Sequence, residues 1–306
     1  MPRTKKSDLL ELGTEQANLA TAGLDTRSAR EIAEIINAED ARVAAAVAGA
    51  LPEIARAIDA IAHALTSGGR LIYVGAGTSG RIAALDAAEC PPTFNTDPAM
   101  IQFIMSGGER ALGRAAEASE DWPALGRRDM AKRKPGKRDV VVGVSASGRT
   151  PYTVAALRYA RSQGATTVAV TNNPGSWLER VADMAIVADV GPEVVAGSTR
   201  MKAGTAQKLI LNMLSTGAMA RLGYVYGNLM VNVHVKNTKL WERGVTILEE
   251  AAGIKRAAAD RALKAAGRSV PVALVMLKAG VSQAEARRRL KAARGNVRQA
   301  IEKRPI

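Results

Sequence analysis

Cysteine is nearly missing from this chain. Its one thiol, Cys90, excludes an internal disulfide and points to a reduced, cytoplasmic setting. Histidine occurs only twice, and neither a cysteine cluster nor an HExxH-type spacing is present. No metal site and no cofactor are therefore expected. Aromatic residues make up 3% of the chain, so the core has to be aliphatic and rich in alanine. No apolar run is long enough to span a bilayer, and none follows the charged N-terminus as a signal peptide would require. Acid is scarce towards the C-terminus: residues 251–306 hold 14 Lys and Arg against 3 Asp and Glu, which accounts for +11 of the net +14. A second basic cluster, RRDMAKRKPGKR (127–138), is expected in a loop. Charge gathered in a helical tail reads as a solvated face, and the rest of the chain is close to neutral, so nucleic acid is not an expected partner.

What the chain does have is an alternation of apolar strands and amphipathic helices. Residues 27–66 carry Ile, Val, Ala and Leu at three- and four-residue spacing, which predicts two or more helices. Five short apolar runs come next: RLIYVGAG, MIQFIM (100–105), DVVVGVS (139–145), ATTVAVTNN and MAIVADV. Helical patterns separate them, including an alanine-rich stretch at 109–121 and a long helix at 198–222. Continuously apolar strands alternating with helices predict a doubly wound α/β domain with a parallel sheet over about residues 60–225. Helices flank it on both sides. The boundaries expected are 1–58 for an N-terminal helical segment, 59–225 for the α/β domain and 226–306 for a helical region, with a small basic module from about residue 251.

In such sheets ligands sit at the carboxyl ends of the strands. Two strand-ending loops there match without gaps: VGAGTSGR (74–81) and VGVSASGR (142–149). Each turn precedes a helix, so backbone N–H groups, hydroxyls and the helix dipole converge on one spot suited to an anion. Ser145, Ser147 and Thr150 form S-x-S-G-x-T, and Gly77, Thr78 and Ser79 belong to the first turn. No Walker lysine is present after either turn, which excludes a nucleoside-triphosphate loop. G-A-G-T-S-G also matches the dinucleotide fingerprint. That reading wants an acid at the end of the second strand, which instead runs into Ser106-Gly107-Gly108, and it leaves the second turn unexplained. Several donors around one point suit a phosphate monoester.

Two acids stand near these turns. Glu89 lies in LDAAECPPTF (85–94), where Pro91 and Pro92 are expected to break the helix beside it and hold its carboxylate in place. An apolar setting there would raise its pKa and suit it to act as an acid. Cys90 is expected to be a small buried neighbour. Glu120 lies in AAEASED, beside Glu117 and Asp121, and from its pattern alone is equally a surface acid of an alanine-rich helix.

These residues resemble a known family. V-G-V-S-A-S-G-R-T-P is similar to the signature of sugar isomerase (SIS) domains, which bind phosphosugars. GPEVVAGSTRMKAGTAQKLILNMLST (191–216) resembles the signature shared by N-acetylmuramic acid 6-phosphate etherases and the glucokinase regulatory protein. TEQANLATAGLDT (14–26), INAEDARV (36–43), GAGTSGR, AECPPTF and AAEASED resemble etherase segments in the etherase order. The similarity covers about residues 12–250, and the tail resembles a small helical module that some etherases carry. His234, in NVHVKNTKL, departs mildly from the pattern and reads as structural or surface.

The resemblance implies a flavodoxin-like SIS sheet and a lyase that cleaves the D-lactyl ether of N-acetylmuramic acid 6-phosphate. It implies Glu89 as proton donor and Glu120 as base. It adds Ser198 and Lys202 of GSTRMKAG to Gly77, Thr78, Ser79, Ser145, Ser147 and Thr150 as phosphosugar-binding residues, with Arg200 near the ligand or a dimer interface. It also implies a homodimer. The alternative is a phosphosugar-sensing regulator of the glucokinase regulatory type, which carries two SIS domains in a chain about twice this size. A SIS-containing transcription regulator would need an N-terminal helix-turn-helix, and residues 1–60 hold no compact unit of that kind.

Overall fold

The computed structural model describes residues 12–114, 117–233, 235 and 237–302; His234 lies outside them. The chain forms two compact units. The first comprises Met1–Ala87 and Ala99–Ser215, the second Ala88–Pro98 and Thr216–Ile306.

The first unit is built on five parallel strands: β1 (Leu71–Gly75), β2 (Ile101–Met105), β3 (Val140–Val144), β4 (Thr166–Thr171) and β5 (Met184–Val187), in the order β2-β1-β3-β4-β5. The helices in chain order begin with α1 (Ala29–Asp40), α2 (Val43–Ala48), α3 (Leu51–Thr66) and α4 (Gly77–Phe94). They continue with α5 (Pro123–Arg133), α6 (Pro151–Ser162), α7 (Trp177–Val181) and α8 (Lys202–Leu222). Alternate residues of β1 face opposite sides. Ile72 and Val74 join a buried cluster with Leu157 and Tyr152 of α6 and Leu178 of α7. Tyr73 faces the other way, where its hydroxyl donates to Asp86 of α4 at 2.9 Å. Every residue of β1 and β3 is buried, which is why these runs are apolar throughout instead of alternating. The doubly wound α/β class read from the sequence is the one observed.

The strand order is that of flavodoxin-like sheets, in which the direction of winding reverses between β1 and β3. The register runs from Leu71↔Val140 to Gly75↔Val144, so the two glycine-serine turns leave the sheet side by side.

Two local expectations are corrected. Residues 109–121 do not form one helix. Short 3₁₀ turns occupy Glu109–Leu112 and Glu117–Ser119, and the α-helix starts later, at Pro123, where a proline fits because the first-turn N–H has no intrahelical acceptor. The basic cluster at 127–138 therefore begins on helix α5 and not in a loop. The second correction concerns Pro91 and Pro92. They do not stop α4, which continues through both to Phe94. Each lacks an N–H for the carbonyl four residues back and crowds that carbonyl with its ring, yet the helix runs on to Phe94, with Asn95 N–H donating to Pro91 O at 2.8 Å.

The second unit holds α9 (Thr238–Ala252), α10 (Arg256–Ala265), α11 (Val270–Ala279), α12 (Gln283–Ala292) and α13 (Val297–Glu302). Its aliphatic core joins Val245 and Leu248 to Leu263, Val270, Leu274 and Val297. Gly244 allows the close approach: a Cβ there would lie 3.1 Å from Val270 and 3.2 Å from Leu263. Part of the basic charge is paired on the helix surface, with Arg288 and Arg289 both on Glu285 at 2.7 and 2.9 Å.

Candidate phosphosugar site

A cavity of about 390 Å³ opens at the carboxyl ends of β1 and β3. Its floor is the pair of turns. From the first come Gly77, Thr78 and Ser79, the opening residues of α4. Gly77 holds φ +52°, in the left-handed region that glycine adopts most readily. Gly75 and Gly80 let strand and helix meet closely: a Cβ on Gly75 would lie 2.9 Å from the Gly80 nitrogen.

From the second turn come Ser145, Ser147 and Thr150. The Ser145 hydroxyl is the hub. It lies 2.9 Å from Thr150 Oγ1 and 3.5 Å from Ser147 Oγ, and it accepts from Gly148 N–H at 3.1 Å. Ser147 Oγ accepts from Arg149 N–H at 3.2 Å. Three hydroxyls are thus gathered at the N-terminus of α6, whose dipole favours negative charge there.

Glu120 enters the same cavity. A Cβ on Gly77 would lie 3.1 Å from its Oε1, so the carboxylate rests against the start of α4. Its backbone is fixed from both sides. Glu120 O accepts from Tyr152 N–H at 3.0 Å, and the preceding Ser119 Oγ accepts from Ser106 Oγ at 2.7 Å.

Not every expected site residue lines this cavity. Ser198 is half-buried in the β5–α8 connection, and its neighbour Thr199 faces the cavity instead. Arg200 is exposed. Lys202 is buried away from the lining, with its ammonium donating to Glu39 of α1. That pairing holds the Glu39 carboxyl below the usual range; the Lys202 hydrogen bond is the largest cause, and burial opposes it. Nearby, Glu193 accepts from the backbone N–H of Lys202 and Ala203 at 2.9 and 3.0 Å and caps α8; burial raises its carboxyl. Glu89 belongs to the second unit and is exposed, so this chain does not supply the apolar setting expected around it. Cys90 beside it is buried.

Three further residues escaped the sequence reading. Arg81 lines the cavity, but its guanidinium donates to the carbonyls of Ala111, Leu112 and Arg114 at 3.0–3.2 Å. Asp86 is buried within α4 and accepts from Tyr73, Asn212 and Ser215; burial pushes its carboxyl up, and those hydrogen bonds act against the shift. Glu15 reaches the cavity from the far N-terminal side of the sequence. Asn212 and Ser215 of α8 were legible only as part of a long helix; nothing local marks them as partners of Asp86. Among the described residues, no group of three His, Cys, Asp or Glu is placed to hold a metal ion, and no helix is long and apolar enough to cross a membrane.

Comparison with known proteins agrees with this architecture. Residues 53–161 match the glucokinase regulatory protein N-terminal SIS domain, and residues 128–217 match the SIS domain. Among solved structures, a putative phosphosugar isomerase from Bacteroides fragilis superposes with TM-score 0.50 at 21% identity, covering 67% of this chain and 97% of the other. A phosphoheptose isomerase from Francisella tularensis gives TM-score 0.50 at 18% identity, over 63% of this chain and all of that one. These likenesses concern the fold. Sequence relatives are nearer. The N-acetylmuramic acid 6-phosphate etherase of Edwardsiella ictaluri is 51% identical over 291 residues, covering 95% of this chain and 97% of its own. That of Symbiobacterium thermophilum is 55% identical over 273 residues, 89% of this chain and 90% of its own. At such identity over nearly the whole length of both partners, the chain belongs to the N-acetylmuramic acid 6-phosphate etherase family.

Proposed function

We propose that this chain is a carbon–oxygen lyase that releases D-lactate from N-acetylmuramic acid 6-phosphate and leaves N-acetylglucosamine 6-phosphate. The observation that carries the reading is the meeting of a three-hydroxyl cluster and one carboxylate in a single cavity at the β1/β3 reversal. The hydroxyls and the α4 and α6 N-termini supply donors for the phosphate. Glu120, in the same cavity, supplies a base for the sugar.

With the ring open, C2 lies next to the C1 aldehyde, which acidifies its proton. Glu120 takes that proton, the C2=C3 double bond forms, and the C3–O bond breaks. The departing lactate oxygen receives a proton from an acid, assigned by family resemblance to Glu89. Water then adds: its hydroxyl to C3 and a proton to C2, with the two groups reversed in role. Each acid–base contribution is worth about 10²–10⁴-fold. The reaction needs no redox step. The family also suggests a homodimer in the cytoplasm. Leu85 and Glu89 stand four residues apart on α4 and are both exposed, so a partner covering one would shield the other.

The test is isotopic. In deuterated water, Glu89→Gln should label C2 of unreacted substrate without releasing lactate, while Glu120→Gln should do neither. The reverse pattern would exchange the two roles. Near-normal lactate release by both variants would place the catalytic pair elsewhere. No lactate from the unaltered protein, with tight binding of fructose phosphates, would favour the regulator reading.

A further inference from the structure

Glu15 is a second carboxylate in the cavity, far in sequence from Glu120 and from both turns. It sits at the end of a 3₁₀ turn, Gly13–Glu15, that is fastened to the sheet. The neighbouring Thr14 is buried; its hydroxyl accepts from Asn173 Nδ2 at 3.0 Å, and its carbonyl accepts from Gly197 N–H at 3.2 Å. The same Asn173 amide donates to Ala146 O at 2.9 Å, inside the second turn. One side chain thus ties the Glu15 turn to the hydroxyl loop. Further along, Thr21 Oγ1 donates to Val194 O at 2.8 Å and Asn18 Nδ2 to Pro192 O at 3.3 Å, which moors the rest of the segment. Gly197, at φ +73°, makes room for the carboxylate, since a Cβ there would lie 2.9 Å from Glu15 Oε2. The stretch of backbone that carries Glu15 is therefore fixed beside the cavity.

An ionised carboxylate only accepts hydrogen bonds. Among the described residues, no side chain donates to Glu15, and the one lining cation, Arg81, is committed to three carbonyls. Placed against a phosphate or the lactyl carboxylate, Glu15 would meet like charge. It suits a part of the ligand that donates. We infer that Glu15 is a specificity-determining residue that accepts a hydrogen bond from a donor of the sugar, an amide N–H or a hydroxyl. This rests on the phosphosugar reading above and adds a residue to it.

The experiment measures binding of N-acetylglucosamine 6-phosphate, of 2-deoxyglucose 6-phosphate and of inorganic phosphate by the full chain and by Glu15→Ala and Glu15→Gln, alongside lactate release. Glu15→Ala should bind N-acetylglucosamine 6-phosphate about 10- to 100-fold more weakly, the range of one hydrogen bond to a charged group. Its affinity for inorganic phosphate should be unchanged or a few-fold tighter, because a like charge is gone. Glu15→Gln keeps an acceptor and should recover part of the loss. KM should rise while kcat at saturation stays within a few-fold. Persistence of the loss with 2-deoxyglucose 6-phosphate assigns the donor to a ring hydroxyl; its disappearance assigns it to the C2 amide. Equal weakening towards sugar phosphate and inorganic phosphate, or no weakening at all, overturns the inference. So does a collapse of kcat at unchanged product affinity, which would make Glu15 a proton-transfer group. If the unaltered protein binds these sugar phosphates but releases no lactate, the etherase reading fails while the Glu15 comparison still stands or falls by itself.

Discussion

The two turns that share V-G-x-x-x-S-G-R are spent differently. In the first, residues 74–81, glycine serves proximity: Gly75 and Gly80 press β1 against α4, and Gly77 leaves room for the Glu120 carboxylate. In the second, residues 142–149, glycine serves display. Gly148, at φ +62°, turns the loop so that Ser145, Ser147 and Thr150 converge, and Ser176 and Thr171 close the space behind it. A repeated pattern can thus admit a carboxylate beside one copy and gather a hydroxyl cluster in the other, because the two turns lead into their helices differently. Helix α4 begins within the first turn, whereas an S-S-T hydroxyl set intervenes before α6.

Three substitutions bear on that contrast. Gly148→Ala should be the most damaging. A Cβ there would lie 2.3 Å from Ser176 Oγ and 2.7 Å from Thr171 Oγ1, on a backbone already left-handed. Strain and overpacking together should cost about 2–5 kcal/mol, read as a lowered denaturation midpoint and lost phosphosugar binding. Gly77→Ala, also at positive φ, should cost about 1–3 kcal/mol of stability. Its Cβ displaces the Glu120 carboxylate, so lactate release should fall by about 100-fold, within the range of a mispositioned general base, while phosphosugar affinity falls less. A Gly77→Ala enzyme that loses binding but retains turnover at saturation would limit the first turn to ligand binding. Ser147→Ala should be mildest for the fold, since its hydroxyl is half-buried, yet weaken phosphosugar binding by about 10- to 100-fold. An unchanged affinity would remove Ser147 from the donor set.

Sequence made the sheet legible because β1 and β3 are apolar at every position, and it made the hydroxyl cluster legible because its members lie within six residues. It was silent where a partner is remote. Lys202 has the look of a ligand-binding cation at a helix start, but its charge is answered by Glu39, 163 residues away, and no local pattern announces that pair. Removing Glu39 should strand the buried Lys202 ammonium, at a cost of about 3–5 kcal/mol, whereas removing Lys202 should cost less because Arg42 and Asn18 still hold Glu39. Glu15 was invisible as a cavity residue for the same reason: its position depends on Thr14 meeting Asn173 across 159 residues. The prolines misled in a different way. They were expected to stop the helix, and α4 instead passes both and ends two residues later, at Phe94.

Cys90 gives this molecule a built-in stopwatch. The chain has one thiol, it is buried, and it sits in the proline-bearing end of α4. A soluble thiol reagent therefore has a single target and reaches it only when that stretch of chain lets go. Where that stretch recloses faster than the reagent reacts, the labelling rate, compared with that of the unfolded chain, gives the free energy of the local opening. No probe has to be engineered, and no second signal has to be subtracted.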